Sequence, residues 1–380
     1  MNPSPRRLLI VFPDEWLAYS PTVLNLADSL SSDFEVSIVA VHTDRFQADP
    51  DLASARVIAV RFSARAVAIL KRLRMFRVAK AWRLMRTVSR CAARHGYEQV
   101  VGVDAVGAWA AGRVFPRVHL LSLEIERGFF FRALRQDRIA SVTIQSVERL
   151  DFLYPEGTPA PVFLVQNAPD LSRSARPGPR TFRPRVVLLG NALPGHGVFR
   201  CIDALREPAA ADYALTIKGI VPPAVRATIE SGHRDLLESG RLVLDETYVP
   251  QQLLTEYLSR FSIGLCFYDL GLIAADDFNY VSCPSGKLFN YYAAGVPVVG
   301  SDILGLASVR AFDTGVLLGE PAPGDIAEGF ATIRDEYARF VENCAVAADH
   351  FDFGRSVAPL KAHLVGTGSL GRVPPQRERS

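Results

Sequence analysis

Short runs rich in Val, Ile and Leu recur through the N-terminal half of the chain, and each is followed by a stretch with helical periodicity. They are Arg7–Phe12, Glu35–Ala40, Arg56–Val60, Gln99–Val103, Arg117–Ser122 and Ala140–Ile144. Strands that alternate with helices of ten or more residues predict a parallel sheet covered on both faces. A second series follows at Arg185–Leu189, Tyr213–Ile217, Arg241–Asp245, Ser262–Phe267, Pro297–Gly300 and Val316–Leu318. Between the two lies Pro169–Pro184, with four prolines and several arginines, too polar and too Pro-rich for a sheet interior. The pattern therefore predicts an α/β chain of two Rossmann-like, doubly wound parallel-sheet domains facing a central cleft. Residues 1–168 form the first and 185–347 the second, with 169–184 as linker. Residues 348–365 form a C-terminal helix that can cross back to the first domain, and 366–380 a disordered tail.

Composition narrows the function classes. Of 380 residues, 49% are apolar and 22% charged, outside the disordered range. Five cysteines show no C-x-x-C spacing, which argues against a zinc site and a disulfide framework and for reduced, cytoplasmic thiols. The seven histidines include no pair at metal-ligand spacing, so no metal is expected. The apolar run Leu8–Phe12 is stopped by Pro13, Asp14 and Glu15, and no run approaches 18 apolar residues, so neither signal peptide nor membrane span is expected. The net charge of +3 hides an asymmetry: residues 52–97 hold twelve Lys or Arg and no Asp or Glu, leaving −9 on the rest. Such a bias points to an anionic partner. Between Val78 and Arg94, a spacing of 100° per residue puts Val78, Ala81, Trp82, Met85, Val88 and Ala92 on one side. Lys80, Arg83, Arg86, Arg90 and Arg94 fall on the other, an arrangement suited to an anionic membrane. Aromatics are too few there for a nucleic-acid surface, and no nucleic-acid partner is expected.

Residues 279–302, NYVSCPSGKLFNYYAAGVPVVGSD, carry the most chemistry. Pro284 or Ser285 opens a helix, Gly295 ends it, and Pro297 leads into a buried strand. The start of that helix offers free N–H groups, the Ser285 hydroxyl, close approach at Gly286 and the Lys287 ammonium, parts that suit a diphosphate. Asn290 lies one turn on, placed for sugar hydroxyls.

This segment resembles the donor-binding motif of GT-B nucleotide-sugar glycosyltransferases, in the broad family-four/family-one group of mostly retaining enzymes. Other landmarks follow in order: the strand and glycine turn ending at Gly190 and Asn191, the strand end Thr216–Gly219 with Lys218, the loop Tyr248-Val249-Pro250, and the turn Phe163–Asp170. The resemblance implies a nucleotide-sugar co-substrate, UDP- or GDP-linked, with no further cofactor. It implies donor contacts from Gly190, Asn191, Lys218, Tyr248, Tyr268, Ser285, Gly286, Lys287 and Asn290, and a glycan or lipid-linked acceptor. On the acceptor side, Tyr19 and Ser20 stand at the start of a helix opened by Ser20-Pro21-Thr22. Asp104, Glu124 and Glu126 follow strands and are the candidate catalytic carboxylates. The sequence departs from the family's paired glutamates, with Ser282 and Asn290 in their places, and has Asn191 and His196 where relatives carry diphosphate-binding cations. Three functions stay open: transfer of a sugar in cell-envelope or exopolysaccharide assembly, 2-epimerisation of a nucleotide sugar, and a catalytically silent scaffold that binds an anionic membrane.

Overall fold

The computed structural model describes residues 6–43, 52, 54–158, 160–173, 178–272 and 278–367. The chain divides into two compact units, one running to Gln166 and resuming at Gly354, the other spanning Asn167–Phe353.

In the first unit the strands are β1 (Arg7–Phe12), β2 (Glu35–Thr43), β3 (Ala55–Phe62), β4 (Gln99–Val103), β5 (Val118–Leu121), β6 (Ile139–Ile144) and β7 (Val162–Leu164). Among the described residues they make one parallel sheet in the order β3-β2-β1-β4-β5-β6-β7. The central strands are buried on both faces, which is why Leu8, Leu9, Ile10 and Val11 read as an unbroken apolar run. The helices are α1 (Pro21–Leu30), α2 (Ala64–Arg72), α3 (Phe76–Arg94), α4 (Asp104–Gly112), α5 (Phe129–Arg132) and α6 (Val147–Leu153). Chain order reverses between β1 and β4, so the carboxyl ends of those strands form the crevice where such sheets take ligands.

The second unit holds β8 (Arg185–Leu189), β9 (Ala214–Lys218), β10 (Leu242–Asp245), β11 (Ile263–Cys266), β12 (Val298–Ser301) and β13 (Gly315–Leu318). Its parallel sheet runs β10-β9-β8-β11-β12-β13, with the reversal between β8 and β11. The helices are α7 (Val198–Asp203), α8 (Pro223–Gly232), α9 (Arg234–Glu238), α10 (Gln251–Leu258), α11 (Phe278–Ser282), α12 (Gly286–Ala293), α13 (Ala307–Ala311), α14 (Pro323–Asp335) and α15 (Tyr337–His350).

The segment read as a linker is fixed at its C-terminal part. Arg180 donates from Nη1 to the carbonyls of Ala294 and Gly295, and from Nη2 to those of Ser259 and Phe261. One guanidinium thus closes the C-terminal ends of both α10 and α12, whose last carbonyls have no partner within their own helices. Residues 174–177 of the same segment lie outside the described residues.

The helix expected over 348–365 is two helices, because α15 stops at His350 and α16 (Phe353–Gly366) follows after a break. At the break the Asp352 carboxylate accepts from the Leu171 N–H at 2.8 Å, and the Phe353 N–H donates to the Pro169 carbonyl at 3.2 Å. Gly366 of the expected tail belongs to α16, and the tail from 368 onward lies outside the described residues.

The end of α16 is held within the first unit by a buried polar chain. Gln99 on β4 donates to the Thr367 carbonyl at 2.9 Å, which turns its own oxygen toward His119 Nε2 at 3.0 Å, while His119 Nδ1 meets the Ser141 hydroxyl at 2.8 Å. The arrangement is complete for a neutral ring that donates from Nε2 and accepts at Nδ1. Burial first, then the nearby His363 and Arg117, push His119 down from 6.5 to about 3. An unfolded chain therefore takes up a proton below pH 6.5 that the folded one refuses, and stability is full above that value and falls as pH drops from 6.5 toward 3. We expect about 2 kcal/mol of loss between pH 7.5 and pH 5. Urea unfolding of wild type and His119→Asn at both pH values checks this, and an equal loss in the two proteins would refute the assignment.

Candidate functional site

In the second unit the site is built around the β8/β11 reversal. Gly190, just past β8, has φ 108°, and its N–H donates to the Lys218 carbonyl at 2.8 Å. Beside it Gly219 has φ 138°, and a Cβ there would lie 2.2 Å from the Gly190 carbonyl oxygen. A Cβ on Gly190 would meet nothing within 4 Å, so these two glycines make a bare backbone floor at the strand ends.

Helix α12 begins above the same strand ends. Ser285 is its N-cap by position, yet its side chain makes no capping bond. Among the described residues the N–H groups of Gly286 and Lys287 have no partner. Lys287 is half-buried, its ammonium 5.2 Å from the centre of the Tyr268 ring. It has no hydrogen-bond or carboxylate partner among the described residues. The His196 ring packs edge-on against Tyr268 at 5.6 Å, and burial, then the Lys287 charge, lower its pKa and favour the neutral ring. Two free amides, an uncompensated ammonium and a bare backbone turn thus lie together at the β8/β11 reversal, groups whose full or partial positive charge suits an anion.

Other expected donor residues do different work. Lys218 Nζ contacts the Asp245 carboxylate at 2.9 Å, the Thr247 hydroxyl at 2.8 Å and the Thr247 carbonyl, so its three protons are already used. Although burial opposes it, hydrogen bonds from Thr247, Lys218 and Tyr257 hold the Asp245 carboxyl well below the usual range. Lys218 therefore braces the β9 and β10 ends and is not available to a phosphate. Asn290 is buried and donates back to the Gly286 carbonyl at 2.7 Å, with Gln251 at 3.5 Å from its oxygen. Its side chain is thereby turned into its own helix. Gly286 is required by packing as well as by any ligand, because a Cβ there would lie 2.5 Å from the Asn167 side-chain nitrogen. Asn191 is exposed, with its carbonyl 3.0 Å from His196 Nδ1, and Tyr248 is 58% exposed on the loop before α10.

Sequence reading missed Arg200. It stands on α7, its guanidinium 3.1 Å from Asp269, and both line a cavity of about 70 Å³ with Gly197, Tyr268, Ser301 and Glu320. The helix itself was legible, but nothing local marks which of its residues faces the strand ends. Gln251 was missed for the same reason, although Pro250 announces its helix.

In the first unit, Asp104 opens α4 directly from β4 with φ 51°, a left-handed conformation costly for a non-glycine residue. The turn is tight enough that a Cβ on Gly102 would lie 2.3 Å from the Ala108 Cα, and one on Gly107 2.4 Å from the Val11 carbonyl. One Asp104 oxygen accepts from the Leu123 N–H at 2.7 Å and the Glu124 N–H at 2.8 Å. Fully buried Arg149 holds that loop by donating to the Leu123 carbonyl at 2.7 Å. Burial outweighs the two hydrogen bonds and pushes the Asp104 carboxyl up to about 8, with the Glu124 and Asp14 charges adding to it. Glu126 is paired with Arg77, and Glu124 is exposed, with its N–H on the Asp104 carboxylate. Ser20 is buried at the start of α1 and Tyr19 is 47% exposed.

The basic helix α3 turns differently from the expected wheel. Its buried residues are Ala81, Leu84, Val88, Cys91 and Ala92, while Val78 and Trp82 are exposed. Lys80 leaves the basic face expected to meet an anionic membrane, because it pairs with Asp14 at 2.7 Å and is largely covered. Arg83 is exposed yet tied to the Arg61 carbonyl at 2.8 Å, and Arg86, Arg90 and Arg94 are exposed. Among the described residues no group of His, Cys, Asp or Glu is placed to hold a metal, and no helix is long and apolar enough to cross a membrane.

No family model and no curated protein matches the sequence. Solved structures do. Sucrose-phosphate synthase from Thermosynechococcus elongatus superposes with TM-score 0.66 over 94% of this chain and 98% of its own, at 14% identity. HepE of Anabaena, in complex with UDP, gives 0.62 over the same shares at 13% identity. The fold is GT-B. A protein of Listeria monocytogenes assigned as a UDP-N-acetylglucosamine 2-epimerase also shares it, with TM-score 0.59 over 94% of this chain and 96% of that one, at 15% identity. GT-B units serve more than one chemistry, so function has to be argued from the side chains.

Proposed function

We propose that this protein is a glycosyltransferase. It moves a hexosyl group from a UDP- or GDP-sugar to a glycan or lipid-linked acceptor in cell-envelope or exopolysaccharide assembly, with retention at the anomeric carbon. The observation that carries this reading is Lys287, a half-buried ammonium without a carboxylate partner among the described residues, set at a helix start with two free amides. A cation there works against the helix dipole and is justified by an anion. The diphosphate of the donor would lie against the Gly286 and Lys287 amides and the Lys287 ammonium. These groups stabilise the charge that develops on the leaving diphosphate.

Solved HepE complexes contain UDP and UDP-glucose, which supports a uridine donor here. Arg200, four residues past His196, is the cation nearest in sequence to the positions where the family carries its own, and Asp269 tempers its charge. In the first unit, protonated Asp104 is a hydrogen-bond donor and orients an acceptor hydroxyl, with Glu124 beside it. The protein works in the cytoplasm, peripheral at the inner face of the membrane, where exposed Arg83, Arg86, Arg90 and Arg94 meet anionic lipid.

Calorimetric titration with UDP, GDP and ADP tests the reading. One saturable site, with preference for UDP or GDP, is the expected result. A protein that takes up none of the three is a silent scaffold. One that binds UDP and interconverts UDP-N-acetylglucosamine with its 2-epimer, without transfer to any acceptor, is an epimerase.

A further inference from the structure

Helix α2 has the sequence ARAVAILKR and contributes no buried residue. It rests on the core only through half-buried Val67 and Leu70 and leaves its other large apolar side chain outward. Here Ile69 is 52% exposed, and Leu73, just past the helix end, 61%. The exposure continues into α3 with Met75, Val78 and Trp82, all about half exposed and spaced three and four residues apart on one face. Five large apolar side chains within fourteen residues thus stay in water, whereas exposed apolar residues on soluble proteins usually stand singly.

The turn between the helices holds them there. The Met75 N–H donates to the Leu70 carbonyl at 2.9 Å and the Arg74 N–H to the Lys71 carbonyl at 3.0 Å, the paired bonds of a Schellman turn. Its left-handed position is Arg74, at φ 56°, where glycine is the least strained residue. In such turns the residue after the left-handed one often packs back on the helix, but Met75 stays exposed. Around these apolar groups stand Arg65, Lys71, Arg72, Arg74 and Arg86, all exposed and without a carboxylate partner among the described residues. The Arg86 guanidinium lies 4.6 Å from the centre of the Trp82 ring. No Asp or Glu occurs anywhere in residues 52–97.

We propose that the α2–α3 elbow is an interfacial anchor for an anionic phospholipid bilayer. Ile69, Leu73, Met75, Val78 and Trp82 enter the acyl boundary, while Arg65, Lys71, Arg72, Arg74 and Arg86 meet the phosphates. The inference rests on the membrane placement proposed above and moves the contact away from Arg90 and Arg94 to a surface that inserts. Apolar burial and headgroup attraction act together in such anchors, and tryptophan suits the depth where one end is apolar and the other wet. A nucleic acid would engage the cations and leave the five apolar side chains in water. An acid-free surface also sets a demanding condition on any protein partner, which would have to match five apolar groups within a ring of carboxylates.

Co-sedimentation of the full chain with vesicles of neutral phosphatidylcholine, or the same lipid with one third phosphatidylglycerol, tests the proposal at about 0.15 M salt. Wild type should bind the anionic vesicles. The triple variant Leu73→Ser, Met75→Ser, Trp82→Ser should bind at least about ten-fold more weakly with an unchanged thermal midpoint, because none of the three is in the core. Arg74→Gly should raise the midpoint, since glycine relieves the left-handed strain, yet weaken vesicle binding about five-fold through the lost charge. If the triple variant binds like wild type while Arg83→Glu, Arg86→Glu, Arg90→Glu abolishes binding, the membrane placement stands and the inserting elbow falls. No binding by wild type to either vesicle overturns both. Duplex DNA that displaces vesicles and binds the triple variant unimpaired overturns lipid as the occupant.

Discussion

Lys287→Ala is expected to weaken binding of the nucleotide donor by about 1.5 to 3 kcal/mol, roughly a ten- to hundred-fold loss, the range for a hydrogen bond to a charged group. The loss should come without destabilisation. Lys287 has no carboxylate partner among the described residues and stands at the positive end of α12, so its removal relieves a small repulsion and the thermal midpoint should stay or rise slightly. Lys287→Met separates the two contributions of the side chain, because it keeps an unbranched apolar stem beside the Tyr268 ring and loses only the charge. Both variants should show the same loss in calorimetry. Unchanged affinity in either would remove the donor site from α12.

Arg180→Ala should destabilise the protein by about 3 kcal/mol, a large effect for a residue outside the apolar core. All four terminal N–H groups of the guanidinium are used on the carbonyls of Ala294, Gly295, Ser259 and Phe261. Without it, those helix-end carbonyls lose their partners in a part-buried place. Arg180→Lys should recover less than half, since an ammonium cannot present a planar fork to two helix ends. Nucleotide affinity should fall several-fold at a temperature where the variant is still folded, because α12 also carries Lys287. Urea unfolding gives the first quantity and calorimetry the second. A loss below about 1 kcal/mol would mean that water replaces the guanidinium without penalty.

The parallel sheets and the helix start were legible because their signals are local. Central parallel strands are covered on both faces, so Leu8–Val11 and Val186–Leu188 had to be apolar without a break. The Gly190 turn, the opening of α12 at Ser285 and its end at Gly295 (φ 61°) follow from backbone preferences that one or two residues set. Asp104 was visible as a carboxyl at a strand end, but its left-handed backbone, its two N–H partners and the burial that raises its pKa were not.

Apart from the break that splits the helix expected over 348–365, the departures concern which partner a side chain finds. Lys218 sits at a strand end like a phosphate ligand, yet Asp245 and Thr247, on the neighbouring strand and the loop that follows it, take all its protons. Arg180 reads as a solvated linker residue, and the four carbonyls that define it lie 79 to 115 residues away in the chain. On α3 the periodicity gave a helix with an apolar side, but apolar residues occur over too wide an arc to fix which part is buried. The sheet took Leu84 and Cys91 and left Val78 and Trp82 in water. Periodicity and turn chemistry are written in neighbouring residues, so the sequence by itself determined the central strands, their alternation with helices and the helix start at Ser285. Whether a charge is spent on a neighbour or left for a ligand depends on groups that only folding brings within 3 Å, and that was decided by the tertiary structure.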